Sequence, residues 1–130
     1  MLSIKKQFIK NMIKLEVVSN TPGRLELYIS QIKKVEDEYK VYEVYADRMM
    51  KLLKGVKGIT VDYDRGLLTV NYEETKLNPR QVYGWIQTMV DVGIEYYDEI
   101  KQSWNKNSNE AAEVEKVWNK MEPVLKSKLK

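Results

Sequence analysis

Apolar positions along the chain follow two periods, and the switches between them mark out the elements. Residues 1–14 are helical in spacing. Leu2, Ile4, Phe8, Ile9, Met12 and Ile13 share one half of a wheel turned by about 100° per residue. Lys6, Lys10 and Lys14 occupy the other half, and Lys5 intrudes on the apolar side. From Leu15 to Ile29 the period shortens to two: Leu15, Val17 and Val18 precede Thr21-Pro22-Gly23, and Leu25, Leu27 and Ile29 then alternate with Glu26, Tyr28 and Ser30. Thr21-Pro22-Gly23 either closes a hairpin or marks a bend or bulge in one long strand.

Residues 31–38 form a charged connection, and helical spacing returns from Tyr39. Tyr42, Ala46, Met49, Met50 and Leu53 recur at helical intervals, and Gly55 and Gly58 punctuate the end. Ile59, Val61 and Tyr63, then Leu68, Val70 and Tyr72, define a hairpin around Asp64-Arg65-Gly66, where a short loop wants a positive φ. Tyr63 and Tyr72 share a strand-face phase and are expected to pair across it. Asn78-Pro79-Arg80-Gln81 opens a helix with an N-cap, an N1 proline and an N3 glutamine. Val82, Ile86, Met89 and Val90 are its buried stripe, with Trp85 beside it, Gly93 as C-cap and residues 94–97 as a last strand. Val114, Val117, Trp118, Met121 and Leu125 mark a terminal helix, with a kink or end expected near Glu122 because of Pro123.

With residues 15–29 counted as one strand, the order over 15–98 is βαββαβ. That predicts an α+β fold of the ferredoxin-like split βαβ kind, an antiparallel sheet with helices on one face. Residues 1–14 are then a basic N-terminal helix and residues 99–130 a C-terminal helical extension.

Composition narrows the chemistry. The chain has 130 residues and 43% apolar content, with no Cys and no His. Its mean hydropathy is -0.53. These values suit a soluble globular domain, and no apolar run approaches the roughly 18 residues of a bilayer span. Without Cys or His there are no disulfides, zinc fingers, thiolate nucleophiles or His-based dyads. No glycine-rich phosphate loop, nucleophile elbow or carboxylate constellation stands out, so the chain reads as a non-enzyme. The formal net charge of +3 is an average over +4 in residues 1–15, -3 in residues 16–98 and +2 in residues 99–130. Basic ends on an acidic body suit an anionic surface or partner, and equally keep a protein soluble. The acidic body and the missing aromatic-glycine pattern disfavour nucleic acid, although Tyr28 and Tyr96 or Tyr97 are candidates for an open sheet face.

Gly55-Val56, Asp64-Arg65-Gly66, Asn78-Pro79 and Gly93, in this order and spacing, resemble the heavy-metal-associated domains of copper chaperones and heavy-metal P-type ATPases. Thr21-Pro22-Gly23-Arg24-Leu25-Glu26-Leu27 is similar to a cysteine-free branch of that superfamily, in which Pro-Gly-Arg opens the first strand after a bend. The likeness covers residues 15–98 and favours the bend at Pro22. It implies a cytoplasmic accessory of a membrane cation transporter, and since some relatives accompany iron-handling systems, iron is the first ion it suggests.

Counting back from Gly55, the family's CxxC falls on Tyr39-Lys40-Val41-Tyr42. Both sulfur ligands are therefore tyrosines, and soft-metal chaperoning through that site is excluded. Tyr39 and Tyr42 with Glu38 and Glu43 offer oxygen donors only, suited to a hard ion such as Fe(III) or to haem, or they form a solvated acidic loop. Residues 1–14, through Lys5, Lys6, Lys10, Lys14 and Phe8, are candidates for an anionic membrane surface; packing on the domain or on a twin subunit is the alternative. Arg24 is placed either on a partner or on an acid of a neighbouring strand. The leading expectation is a non-enzymatic adaptor, cytoplasmic and peripheral at the membrane. A direct iron or haem binder and a self-associating structural protein are the rivals.

Overall fold

In the computed structural model, the described residues are 3–35, 37, 40, 43–104 and 110–129, with backbone alone for 101–104 and 110–114. The chain runs α1 (Ile4–Met12), β1 (Glu16–Thr21), β2 (Arg24–Tyr28), a 3-10 turn (Ser30–Lys34), α2 (Glu43–Lys51), β3 (Val56–Asp62), β4 (Leu67–Tyr72), α3 (Pro79–Glu95), α4 (Tyr97–Trp104) and α5 (Glu110–Ser127). The fold is α+β. Its sheet has four antiparallel strands in the order β1-β2-β4-β3.

That order departs from the expected βαββαβ at two places. Residues 15–29 are a hairpin, not one bent strand: Thr21 pairs with Arg24 across the Pro22-Gly23 turn. Pro22 presets the φ of the first turn position and Gly23, at φ 80°, supplies the left-handed second one, so the chain reverses. A bulge lies between Val17 and Ser19 in β1. The second departure is at residues 94–97, which form no strand. Helix α3 runs through Gly93 to Glu95, where Ile94 is buried in helical conformation, and α4 begins at Tyr97. The edge beside β2 is held by β1.

The second hairpin forms where it is expected, turning around Gly66, whose φ is 71°. Ile59 pairs with Val70 and Val61 with Leu68. Tyr72 nevertheless faces Val56, and Tyr63 lies beyond the end of β3, so the two tyrosines do not pair. They stand at opposite ends of the hairpin. Asp47 of α2 accepts from the Ile59 N–H at 3.1 Å and occupies part of the exposed edge of β3. At Gly55, φ is 108° and an added Cβ would lie 2.9 Å from Leu77, so the turn from α2 into β3 suits glycine alone.

Leu25, Leu27, Val70 and Tyr72 form the sheet's inner face. They pack with Met50 of α2, with Val82, Trp85, Ile86 and Val92 of α3, and with Val117, Met121 and Leu125 of α5. The alternate positions Arg24, Glu26, Tyr28 and Asn71 stand on the opposite, polar face. The α3 start is as expected. Asn78 accepts from the Gln81 N–H and Gln81 returns the bond, both at 2.9 Å. Helix α5 continues through Pro123 to Ser127. Arg48 joins α2 to α5 by pairing with Glu115 at 3.2 Å and lying 4.7 Å from the Trp118 ring centre.

Because Leu125 is fully buried in this core, Leu125→Ala should lower unfolding stability by about 2–4 kcal/mol. Denaturant titration checks it. A loss below about 1 kcal/mol would mean that α5 adds nothing to the core.

Candidate docking surface

Tyr39, Tyr42 and Glu38 of the expected oxygen-donor loop lie outside the described residues. Glu43, its fourth member, begins α2 and accepts from the Tyr63 hydroxyl at 2.7 Å. Burial pushes the Tyr63 phenol up to about 12, and the bond to the Glu43 carboxylate adds to it because that bond needs the proton. Lys40 sits 4.7 Å from the Tyr63 ring centre and pairs with Asp37 at 2.7 Å. That pairing lowers the Asp37 carboxyl below its ordinary value. Among the described residues no three Asp, Glu, Cys or His side chains group as a metal site. Beside Tyr63 lies an open apolar groove of about 310 Å³ walled by Ile32, Val35, Ala46, Ile59, Val61 and Leu68.

Arg24 reaches Glu26 of its own strand at 3.5 Å, and Glu26 also accepts from the Thr69 hydroxyl at 3.2 Å. This is an exposed contact across the polar sheet face, of a kind that adds little stability. Tyr28 lies on that face with Lys33 over its ring, at 5.7 Å from the centroid. Tyr96 and Tyr97 stand at the α3–α4 junction, in no strand of the sheet.

Helix α1 carries the most informative geometry. Ser3 caps it by accepting from the Lys6 N–H, and no acidic residue follows in the first turn. Its lysines turn toward the domain. Lys5 pairs with Asp98 at 3.3 Å and lies 5.2 Å from the Tyr97 ring centre; Lys10 pairs with Asp91 at 2.9 Å. Lys6 donates to the Glu95 carbonyl at 2.7 Å. That carbonyl belongs to the last turn of α3, where the helix dipole favours a cation. The helix is therefore clasped to the C-terminal end of α3 by its charged side. Gln31 donates to the Met12 carbonyl, and Tyr83 donates to the Leu15 carbonyl at 3.2 Å. Ile9 and Ile13 are half-buried beneath the helix, and a cleft of about 320 Å³ remains between Ile13, Leu15, Tyr83 and Val90.

The opposite side of α1 faces water. Ile4 is 89% exposed, Phe8 66% and Met12 49%. These residues are spaced by four and form one ridge, while Lys14 beyond the helix is exposed. No residue of α1 is buried. The amphipathic period was visible in the sequence. What it could not show is that Asp91, Asp98 and a helix C-terminus would capture Lys5, Lys6 and Lys10, turning Ile9 and Ile13 inward and leaving Ile4, Phe8 and Met12 out.

No family model, curated protein or solved structure matches the chain. Among the described residues, no helix is long and apolar enough to cross a membrane.

The Tyr63–Glu43 bond can be read by titration. Tyr63 should ionise at about pH 12 by absorbance near the phenolate band, with Glu43→Gln moving it down toward the ordinary value of about 10. Since the folded state holds this proton more tightly, its contribution to stability is complete below about pH 10 and disappears as pH rises toward 12. Identical titrations for both proteins would remove the bond from the account.

Proposed function

We propose that this protein is a non-enzymatic binding module that docks peripherally on a membrane through α1. The observation that carries the reading is the ridge of Ile4, Phe8 and Met12, held outward by a lysine clasp on the domain. A soluble domain gains nothing from presenting three large apolar side chains in line unless something covers them. The end of α3 and the start of α4 supply the base for that helix.

Within the same proposal, the protein is a cysteine-free relative of the heavy-metal-associated domains and serves a membrane cation transporter from the cytoplasmic side. The stretch β2-α2-β3-β4-α3, with β4 lying between β2 and β3, supports a degenerate ferredoxin-like arrangement in which β1 replaces the last strand. Iron or haem ligation by Tyr39, Tyr42, Glu38 and Glu43 is the less favoured reading. Glu43 is engaged by Tyr63, and a metal taking it would have to break that bond.

Vesicle flotation tests the docking. The wild-type chain should float with fluid phosphatidylcholine–phosphatidylserine vesicles, and an Ile4→Asp/Phe8→Asp double variant should stay at the bottom while its circular dichroism and melting curve are unchanged. Wild-type protein that remains unbound would end the reading.

A further inference from the structure

We infer that α1 holds lipid by inserting Ile4, Phe8 and Met12 between headgroups, and that it recognises loosely packed lipid rather than negative charge. This rests on the peripheral docking proposed above and assigns the property of the membrane that is read.

The charges on the page point this way. Residues 3–15 contain no acid and four lysines, the usual mark of attraction to anionic lipid. Three of those four are already used inside the molecule, on Asp98, Asp91 and the Glu95 carbonyl. An anionic headgroup would compete with a carboxylate at Lys5 and Lys10 and with a helix-end carbonyl at Lys6, which blunts its gain from these lysines. Gln7 and Asn11, exposed and uncharged, flank the ridge on one side, and Lys5, paired with Asp98, borders it on the other. Insertion on the side of Gln7 and Asn11 needs no charge to be dehydrated, and on the other side Lys5 stays at headgroup level on Asp98.

Size decides between lipid and a protein partner. A helix of nine residues is about 14 Å long. Its three ridge side chains expose on the order of 400 Å², against about 800 Å² per partner in a stable protein interface. A second copy meeting this ridge would be held weakly. Lipid demands no matching shape and no minimum patch, and association grows with each apolar group inserted. The clasp adds pre-organisation, because so short a helix is marginal alone in water and here is presented already formed.

The test uses the full chain and three vesicle preparations: small, highly curved dioleoyl-phosphatidylcholine vesicles, the same with about 30% phosphatidylserine, and large, tightly packed saturated phosphatidylcholine vesicles. Binding to the first is expected, with less than about a threefold change on adding phosphatidylserine and a loss of about tenfold or more on the third. Phe8→Asp should lose about tenfold or more and Phe8→Leu should retain binding; Phe8 is two-thirds exposed, so neither change touches the core. Melting curves of both variants confirm that the fold is kept. Binding that appears only with phosphatidylserine and survives Phe8→Asp would overturn this inference and leave peripheral docking standing. No binding to any vesicle, with a dimer in sedimentation that Phe8→Asp abolishes, would overturn both in favour of a second copy. No binding and a monomer would overturn both outright.

Discussion

Helix α3 lying on the inner face of the sheet is the contact from which the other elements take their positions. Val82, Trp85, Ile86 and Val92 share one cluster with Leu25, Leu27, Val70 and Tyr72, so the helix cannot shift without opening the core. The Trp85 indole N–H donates to the Met49 carbonyl at 3.0 Å and holds α2 at the same surface. On another side α3 meets α5, and its far end carries Asp91 and the Glu95 carbonyl, with Asp98 just past it in α4. One helix thus closes the core and offers the acidic platform on which α1 sits.

The length of α3 also explains the strand order. A ferredoxin-like chain would leave the second helix, turn back and add its last strand beside the first. Here the helix continues to Glu95, and α4 follows from Tyr97. The chain has no residues left extended there to fill the edge beside β2. Glu16–Thr21, returning through Pro22-Gly23, fills it from the N-terminal side. The bulge between Val17 and Ser19 then roughens the free edge, a common defence against strand-to-strand association.

What could be read from the residues was mostly local. The Asn78 cap and the hairpin at Gly66 depend on side chains a few positions apart, and local chemistry decides them. Pro22-Gly23, by contrast, fits a bend and a reversal alike, and only the pairing of β1 with β2 makes it a hairpin turn. Strand identity at 94–97 failed because Ile94-Glu95-Tyr96-Tyr97 satisfies strand and helix patterns alike, and only continuity with α3 settles it. Tyr63 and Tyr72 had the right phase, but register is a property of two strands together. The candidate surface was half legible. Both sides of α1 could be drawn on a wheel, but which side docks depends on Asp91 and Asp98, far off in sequence.

The strength of the clasp bears on how α1 works. Lys5–Asp98 and Lys10–Asp91 are about half exposed, and pairs of that kind contribute between about 0 and 1 kcal/mol each. The Lys6 bond to the Glu95 carbonyl adds a contact at a helix end, where the dipole favours it. No α1 side chain enters the core to make up the difference. The helix is therefore attached by a margin far smaller than the one that holds α3 or α5. Such weakly held segments open most readily and are where docking elements are drawn from. Ile9 and Ile13 take the half-buried side and the lysines tie the helix to the end of α3, so Ile4, Phe8 and Met12 are what this seating leaves outside.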